Sequence, residues 1–241
     1  MHKKYFFFIS SLLFLCLSDK ICAQRYEKNK YNLEIIDNIN DYRAEINNNK
    51  QAKLTLLTKY VPHLKTDFVY ATKHNFTHTV LYKNPKPYAV LPLAEALRKA
   101  AAELEARGWG IILYDAYRPY SVTEKMWETE PDARYAADPK FGSGHNRGIA
   151  VDIGLYKLST GKLLKMPTGF DNFTDTAHSD FINLPKTVLT NRQTLKTVME
   201  KYGLKQLSTE WWHFSIPNPG DKYKILNLGF DELNETTKEN E

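Results

Sequence analysis

Two short segments of the chain carry residue types that bind metal ions in enzymes. In the first, a glycine-containing turn delivers His145, and Asp152 follows seven residues later inside an apolar run. The second contains Glu210 and, three residues on, His213. Two neutral imidazoles and one carboxylate are a common ligand set of catalytic zinc sites, which leave a fourth position for water. The sequence therefore predicts a metal site made of these two histidines and Asp152, with Glu210 placed to accept a proton from that water.

The residues around Asp152 alternate as in a buried β-strand. Side chains two residues apart share a face, so Asp152 lies on the same face as Ala150 and Gly154, which leave room beside it. A carboxylate in such an apolar run is costly unless it is paired, hydrogen-bonded or bound to a metal. In an extended strand, Glu210 and His213 point to opposite faces, so a bend at Glu210 is needed to bring the two together.

Each of these residues also has a structural interpretation. An aspartate near a strand end often caps a turn or pairs with arginine, and a histidine among aromatic residues is usually packed and hydrogen-bonded. Trp211 and Trp212 are typical core residues. His74 and His178 are further candidate ligands, although surface positions are the simpler interpretation for both. The combination of the two segments favours the metal site over these separate explanations.

Helices and strands alternate along the chain with short connections. Helical spacing and capping residues predict helices at 91–107, 121–128 and 190–202, the second with a capping box formed by Ser121 and Glu124. Apolar runs predict strands at 109–115, 149–156 and 211–216, with a return strand at 163–164 after a turn. This pattern favours an α+β fold, in which a single catalytic domain has a central antiparallel sheet flanked by helices.

The chain is predicted to begin with a signal peptide at residues 1–23. A short basic start and an apolar run precede Ala23, and that run of about 13 residues is too short for the ~20 residues of a membrane-spanning helix. A retained anchor, or a lipoprotein start at Cys16 or Cys22, is the alternative. The remaining chain is predicted to comprise an N-terminal extension at 24–59, helical around 41–57, a catalytic domain at 60–230 and a polar tail at 231–241.

Composition and charge exclude several classes of protein. Apolar residues make up 42% of the 241 residues, enough for one sizeable core. The formal charge of +5 is spread over the chain and is not clustered as in nucleic-acid-binding proteins. Both cysteines lie in the predicted signal peptide, so the mature protein would have neither a cysteine nucleophile nor thiolate ligands. The prediction is an exported protein, periplasmic or secreted, without a stable membrane span or a nucleic-acid partner.

Five separated segments resemble one family of enzymes. Ser-x-His-x-x-Gly-x-Ala-x-Asp at 143–152 and Glu-x-x-His at 210–213 are similar to motifs of the zinc D,D-peptidases. The segments 70–77, 115–119 and 169–171 extend the resemblance to the D-alanyl-D-alanine dipeptidase branch, which includes the vancomycin-resistance type. The resemblance covers roughly residues 60–216, and the extension before residue 60 departs from the family pattern.

The resemblance implies roles for individual residues. The family's zinc ligands match His145, Asp152 and His213, its general base matches Glu210, and its arginine that stabilises the tetrahedral intermediate matches Arg118. Its substrate-binding positions match Tyr70, Asp115, Ser143 and Asp171. The implied reaction is hydrolysis of D-alanyl-D-alanine by a water bound to one zinc ion per chain. Asp171, and Asp152 from the metal side, are the candidates for binding the free substrate amine. A structural ion pair with Asp115 is the alternative for Arg118.

Three other functions compete with this one. A D,D- or L,D-carboxypeptidase acting on longer peptidoglycan peptides is distinguished by whether Asp171 and Tyr70 close the cleft at the amine side. A non-catalytic zinc-containing module that binds cell-wall peptides does not need Glu210 and Arg118. A structural zinc domain requires a closed four-ligand site. For an exported dipeptidase, the expected task is turnover or salvage of peptidoglycan fragments, since remodelling of wall precursors for glycopeptide resistance belongs to the cytoplasm.

Overall fold

The computed structural model of the protein describes residues 26, 28–134 and 136–238, with side chains up to residue 234. The predicted signal peptide, with both cysteines, lies outside the described residues. The described helices are α1 Ile39–Asn48, α2 Leu91–Glu105, α3 Tyr120–Thr129, α4 Lys186–Lys201 and α5 Phe230–Lys238. The strands are β1 Ile35–Ile36, β2 Leu54–Leu56, β3 Lys65–Thr66, β4 Tyr88–Val90, β5 Trp109–Asp115, β6 Ala150–Lys157, β7 Lys205–Gln206, β8 His213–Ser215 and β9 Ile225–Leu226. None of these helices has the length and apolar character that a membrane span requires.

The central sheet contains five of these strands in the order β3, β5, β6, β8 and β7. β3 runs parallel to β5, and the other neighbours are antiparallel. Two small ribbons accompany this sheet, formed by β2 with β4 and by β1 with β9. The mainly antiparallel sheet and its flanking helices confirm the predicted α+β fold.

One hydrophobic core holds the helices against the sheet. β6 contributes Val151, Ile153 and Leu155 from one face, each at most 1% exposed. Leu97 of α2 and Leu195 of α4 belong to the same core. Because side chains alternate along a strand, Asp152 lies on the other face of β6. One face of this strand therefore packs into the core, and Asp152 lies on the opposite face.

The register of the sheet brings three predicted site residues into one row. Asp152 of β6 is opposite Asp115 of β5 on one side and His213 of β8 on the other. The pairing of β5 with β6 shifts between Leu113 and Asp115, an irregularity of the kind that re-aims side chains near active sites. Residues directly opposite one another in a sheet have neighbouring side chains. The sheet therefore places these three residues side by side, although they are distant in sequence.

Two predicted helices begin differently in the structure. The helix predicted at 121–128 runs from Tyr120 to Thr129, and the predicted capping box at its start was wrong. Instead, the side-chain oxygen of Asn227 accepts the N–H of Ser121 at 2.9 Å, so this cap comes from a distant part of the chain. The helix predicted at 190–202 begins earlier, at Lys186, directly after Pro185, and ends at Lys201.

Three other predicted elements differ in length or type. The strand predicted at 211–216 is limited to His213–Ser215, because residues 211 and 212 form a turn. The return strand predicted at 163–164 is an isolated bridge between Tyr156 and Leu163, since a proline follows shortly after and cannot continue a ladder. The helix predicted around 41–57 ends at Asn48, and residues 54–56 form β2 instead.

Residues of the predicted extension pair with strands that follow much later in the chain. β1 lies parallel to β9, and β2 lies antiparallel to β4, which leads directly into α2. Ile36 and Leu54 are at most 2% exposed and belong to the common core. The described part of the extension is therefore integrated into the folded unit.

Candidate metal centre and active-site cleft

His145 enters the site from a short 3₁₀ turn, His145–Arg147, that precedes β6. Gly148 ends this turn with φ +65°, a left-handed conformation that suits glycine. The imidazole is buried, and its Nδ1 lies 2.8 Å from the carbonyl oxygen of Ala116. Since a carbonyl oxygen only accepts, Nδ1 of the neutral ring carries the hydrogen and Nε2 keeps its lone pair. The backbone thus selects the tautomer that a metal ligand requires.

Three candidate ligand atoms converge at the start of β6. Nε2 of His145 lies 3.2 Å from Nδ1 of His213 and 3.3 Å from Oδ2 of Asp152. Oδ1 of Asp152 lies 2.9 Å from Nδ1 of His213. Ligand atoms held tetrahedrally about 2.0–2.1 Å from zinc are about 3.3 Å apart. The observed spacings therefore fit an ion of the size of zinc and leave room for a further ligand.

The charge state of this cluster also suits a cation. Burial raises the pKa of Asp152, but the adjacent His145 and His213 outweigh burial and hold the pKa of this carboxyl well below its usual range. Asp152 is therefore ionised at neutral pH. Burial lowers the pKa of His213, whereas its hydrogen bond to Asp152 and the charge of that carboxylate raise it, and the net shift is upward. A metal ion that binds here would displace the imidazole proton.

The two further candidate ligands lie elsewhere. In the part of the chain that the structure describes, the group with metal-binding spacing consists of His145, Asp152 and His213. His178 lies 4.0 Å from Asp175 with 37% of its side chain exposed. His74 is exposed and lines a separate groove. Both positions match the surface interpretation.

Glu210 reaches the cluster because the chain turns before β8. Residues 211 and 212 form this turn, and the N–H of His213 approaches the carbonyl oxygen of Glu210 at 3.4 Å. Oε2 of Glu210 then lies 3.9 Å from Nδ1 of His213. Burial raises the pKa of Glu210, and the charge of His213 only partly offsets this shift. A carboxylate of raised pKa beside a metal site is suited to accept and return a proton.

Arg118 and Asp115 form a buried ion pair at the base of the cleft. Nε of Arg118 lies 3.6 Å from Oδ2 of Asp115, whose other oxygen accepts the Tyr82 hydroxyl at 3.0 Å. The guanidinium also lines the cleft, with Nη1 2.7 Å from the sulfur of Met126. Arg118 therefore forms the ion pair with Asp115 that was one interpretation of the sequence, and it also lines the cleft, as the catalytic interpretation requires. Asp115, predicted to bind substrate, is 1% exposed, and it is not among the described residues that line the cleft.

Tyr70 and Asp171 form one wall of the cleft. The Tyr70 hydroxyl donates to the Asp171 carboxylate, at 2.8 Å from Oδ2 and 3.0 Å from Oδ1. Asp171 has φ +56°, an unusual conformation for a residue other than glycine and one that is enriched at functional sites. Burial raises the pKa of Asp171 well above its usual value, and the hydrogen bond from Tyr70 only partly offsets this shift. An incoming cation, such as a substrate amine, favours the charged form of such a buried carboxylate.

Ser143 and Asn146 hold the turn that carries His145. Oγ of Ser143 accepts the N–H of His145 at 3.2 Å, and Oδ1 of Asn146 accepts the N–H of Ser143 at 2.9 Å. The Asn146 amide donates to the Arg118 carbonyl and to the Thr123 hydroxyl, both at 2.9 Å. Asn146 is fully buried and goes beyond the predicted site residues. The sequence signal for it is its position inside the His145 motif.

These groups line a cleft of about 290 Å³, at the lower end of the size range of ligand pockets. Eight of the nine predicted site residues line it, namely Tyr70, Arg118, Ser143, His145, Asp152, Asp171, Glu210 and His213. The aromatic side chains of Phe173 and Trp212 also contribute. The cleft therefore combines a cation-binding cluster with carboxylate and guanidinium groups in a space suited to a small substrate.

The space predicted beside Asp152 is filled by an aromatic wall. A Cβ atom on Gly154 would lie 2.7 Å from the Tyr114 hydroxyl, so the Tyr114 ring covers this glycine. Tyr114 stacks on Phe170 with ring centroids 4.8 Å apart, and Phe170 meets Trp212 edge-on at 5.5 Å. The small residue on this face of β6 thus makes room for packed rings, which support the wall that carries Asp171.

The chain matches a known family over most of its length. Residues 50–231 match the family model described as D-ala-D-ala dipeptidase. The D-alanyl-D-alanine dipeptidase of Escherichia coli (strain K12) is 32% identical over 174 residues, which cover 72% of this chain and 89% of that protein. The D-alanyl-D-alanine dipeptidase of Enterococcus faecium is 29% identical over 182 residues, covering 67% of this chain and 90% of that protein. The corresponding dipeptidase of Streptomyces coelicolor is 32% identical over 182 residues, with coverages of 66% and 90%.

Among solved structures, the LdcB LD-carboxypeptidase aligns with a TM-score of 0.42 and 14% sequence identity, covering 90% of this chain and 94% of that one. The matched range of residues 50–231 contains the whole cluster and every side chain that lines the cleft. The resemblance found in the sequence motifs is thereby confirmed. The chain belongs to the D-alanyl-D-alanine dipeptidase family, a family of metal-dependent peptidases.

Proposed function

We propose that the protein is a zinc-dependent D-alanyl-D-alanine dipeptidase that acts on peptidoglycan fragments outside the cytoplasm. The observation that carries the proposal is the convergence of His145, Asp152 and His213 beside Glu210 in a small cleft. Zinc is supported by the two-nitrogen, one-carboxylate donor set and by the spacing of the donor atoms. The substrate class is supported by the relatives, which are named for this dipeptide.

The side chains around the metal site have complementary tasks in amide hydrolysis. When bound by His145, Asp152 and His213, zinc supplies Lewis acidity, which lowers the pKa of water and polarises a carbonyl group. Glu210 accepts a proton from the attacking water and returns it to the leaving amine, a task that its raised pKa favours. Arg118 directs its charge toward the carbonyl oxygen, where negative charge develops during the attack.

Substrate length is set at the wall formed by Tyr70 and Asp171. The ammonium group at the end of a dipeptide neutralises the half-buried carboxylate of Asp171, which Tyr70 holds in place. A longer peptide has a neutral amide at that position and more atoms to accommodate in a cleft of about 290 Å³. Ser143 lines the same cleft, which supports the proposal that its hydroxyl contacts the substrate carboxylate.

A comparison of three peptides tests this function. Purified protein with bound zinc is incubated with D-Ala-D-Ala, with a tripeptide that ends in D-Ala-D-Ala, and with L-Ala-L-Ala, and the released amino acids are quantified. We expect rapid release of D-alanine from the D,D-dipeptide and at least about tenfold slower release from the other two. Preferential cleavage of the tripeptide would establish a carboxypeptidase instead, and cleavage of none would support a binding module.

Replacement of Asp171 by asparagine should remove the preference for a free amine. A charge-assisted hydrogen bond contributes about 1.5–3 kcal/mol, so kcat/KM for D-Ala-D-Ala should fall about 10- to 100-fold. Hydrolysis of N-acetyl-D-Ala-D-Ala, which has no ammonium group, should change far less. Asp175→Asn is the matched control, because this carboxylate is nearby in sequence and 93% exposed. Equal losses on both substrates would show that Asp171 does not recognise the amine.

Export is the remaining part of the proposal and depends on residues 1–23, with their basic start and apolar run. Fractionation of cells that express the full chain, followed by N-terminal sequencing, tests it directly. We expect a periplasmic or secreted protein that begins near Gln24. A cytoplasmic protein that retains Met1 would contradict export and leave the catalytic proposal in place.

A further inference from the structure

Asn29, near the start of the described residues, joins the N-terminal segment to helix α3. Oδ1 of Asn29 accepts the N–H groups of Tyr31 and Leu33, at 2.9 and 3.1 Å, and so closes its own turn. This arrangement leaves the Nδ2 group of Asn29 to face outward. Nδ2 donates to the hydroxyl oxygen of Tyr120, the first residue of α3, at 2.9 Å. The turn at Asn29 is therefore attached to α3 by a hydrogen bond in which the Asn29 amide is the donor.

The Tyr120 hydroxyl is also bonded to the loop before the metal site. It donates to the carbonyl oxygen of Pro139 at 2.8 Å, and the same carbonyl accepts the N–H of Gly142 at 3.3 Å. A hydroxyl has one hydrogen, so the donor from Asn29 ensures that this hydrogen is directed at Pro139. Tyr120 is 2% exposed, which shields both hydrogen bonds from water. The turn at 139–142 is thus held by a side chain that the N-terminal residues orient.

A second, indirect connection between the N-terminal residues and this loop runs through β9. Ile225 of β9 packs against Gly142, where an added Cβ atom would lie 2.7 Å from Ile225 Cδ1. β9 is paired with β1, with Ile35 opposite Ile225. Gly142 is followed by Ser143, whose hydroxyl accepts the N–H of His145 at 3.2 Å. Residues 28–36 are therefore connected with the loop before His145 by two indirect routes, one through Tyr120 and one through Ile225 of β9.

We propose that residues 28–36, the N-terminal brace, position His145 for metal binding through Asn29 and Tyr120. The brace lies before residue 50, where the family match begins, so it is an addition to the matched region. Asn29 and Tyr120 act on the metal site through the 139–142 turn and are positioning residues. This inference rests on the proposed metal site and concerns how the chain keeps that site in shape.

Two substitutions test the brace in the full mature protein. Asn29→Asp keeps the oxygen that closes the turn but replaces the donor with an acceptor, which draws the Tyr120 hydrogen away from Pro139. Tyr120→Phe removes the hydroxyl altogether. Support groups that orient metal ligands affect metal affinity by roughly 10- to 100-fold. We therefore expect the zinc dissociation constant, measured by competition with a chromophoric chelator, to rise roughly tenfold in each variant.

Tyr26→Phe is the matched control, because it also removes a hydroxyl from the N-terminal part of the chain. That hydroxyl donates to Glu45, which is distant in sequence from the 139–142 turn. Its zinc affinity should equal that of the wild type. An unchanged zinc affinity in Asn29→Asp would overturn the proposed role of the brace. An equal loss of zinc affinity in Tyr26→Phe would overturn it as well. If Tyr120→Phe does not fold, the result for Asn29→Asp decides alone. A wild-type protein that binds no zinc would instead refute the metal site itself, so the two failures are distinguishable.

Discussion

Replacement of Glu210 by glutamine is expected to lower kcat for D-Ala-D-Ala by about 10²- to 10⁴-fold, the range that a general acid–base residue contributes. The zinc content should remain at about one ion per chain, because the convergent ligand atoms belong to His145, Asp152 and His213. Glutamine has the shape of glutamate but cannot take a proton from water. Steady-state kinetics and metal analysis of the same preparation measure the two effects separately.

Glu200→Gln provides the control for this substitution. Glu200 is an exposed glutamate of α4 whose carboxylate lies 3.7 Å from Lys196, and its replacement should leave both kcat and zinc content unchanged. Retention of activity in Glu210→Gln would show that another group accepts the proton. A loss of zinc in that variant would instead identify Glu210 as a metal ligand, in addition to the three convergent residues His145, Asp152 and His213.

Replacement of His145 by alanine should remove zinc and, with it, turnover. Only two of the three convergent donors remain in this variant, fewer than the three protein ligands of catalytic zinc sites. The substitution also leaves the carbonyl of Ala116 without the ring N–H at 2.8 Å, which should cost about 1–3 kcal/mol of stability. Metal analysis by mass spectrometry, urea unfolding and the dipeptide assay measure these consequences independently.

His178→Ala is the control for this loss, because His178 is a histidine with 37% of its side chain exposed. It should keep zinc, stability and activity. His145→Gln retains more of the buried volume and serves as the second variant should alanine prevent folding. A full equivalent of tightly bound zinc in either folded His145 variant would refute the assignment of the metal site.

Several features of the fold follow from local patterns. The strand at 109–115 was predicted with the bounds that the structure shows, because it is a continuous apolar run between a glycine and an Arg-Pro turn. The helix α2 follows from the spacing of Leu93, Leu97, Ala100 and Leu104, all buried. Where tertiary contacts decide the local structure, the predictions were wrong. Asn227 caps α3 in place of the predicted capping box, and no local pattern indicates a partner more than 100 residues away.

The candidate site divides in the same way. His145, Asp152, Glu210 and His213 could be identified from residue type and spacing, because metal and proton-transfer chemistry require those side chains. That these four residues lie together could not be identified from the sequence, because it depends on the register between β6 and β8 and on the turn at 211–212. Asp115 illustrates the difference: its side chain is of a type suited to substrate binding, but only the structure shows that it is buried and paired with Arg118.

The sequence by itself determined the chemistry available to this protein, namely the two histidines, the carboxylates and the arginine, and the family motifs that contain them. Tertiary structure alone decided that His145 Nε2 and His213 Nδ1 meet at 3.2 Å and that Asp171 receives the Tyr70 hydroxyl. It also decided that Asn29 is connected, through the Tyr120 hydroxyl, with the loop before His145. The physical reason is that side-chain type is a local property, whereas strand register, burial and hydrogen-bond partners depend on how distant segments pack together.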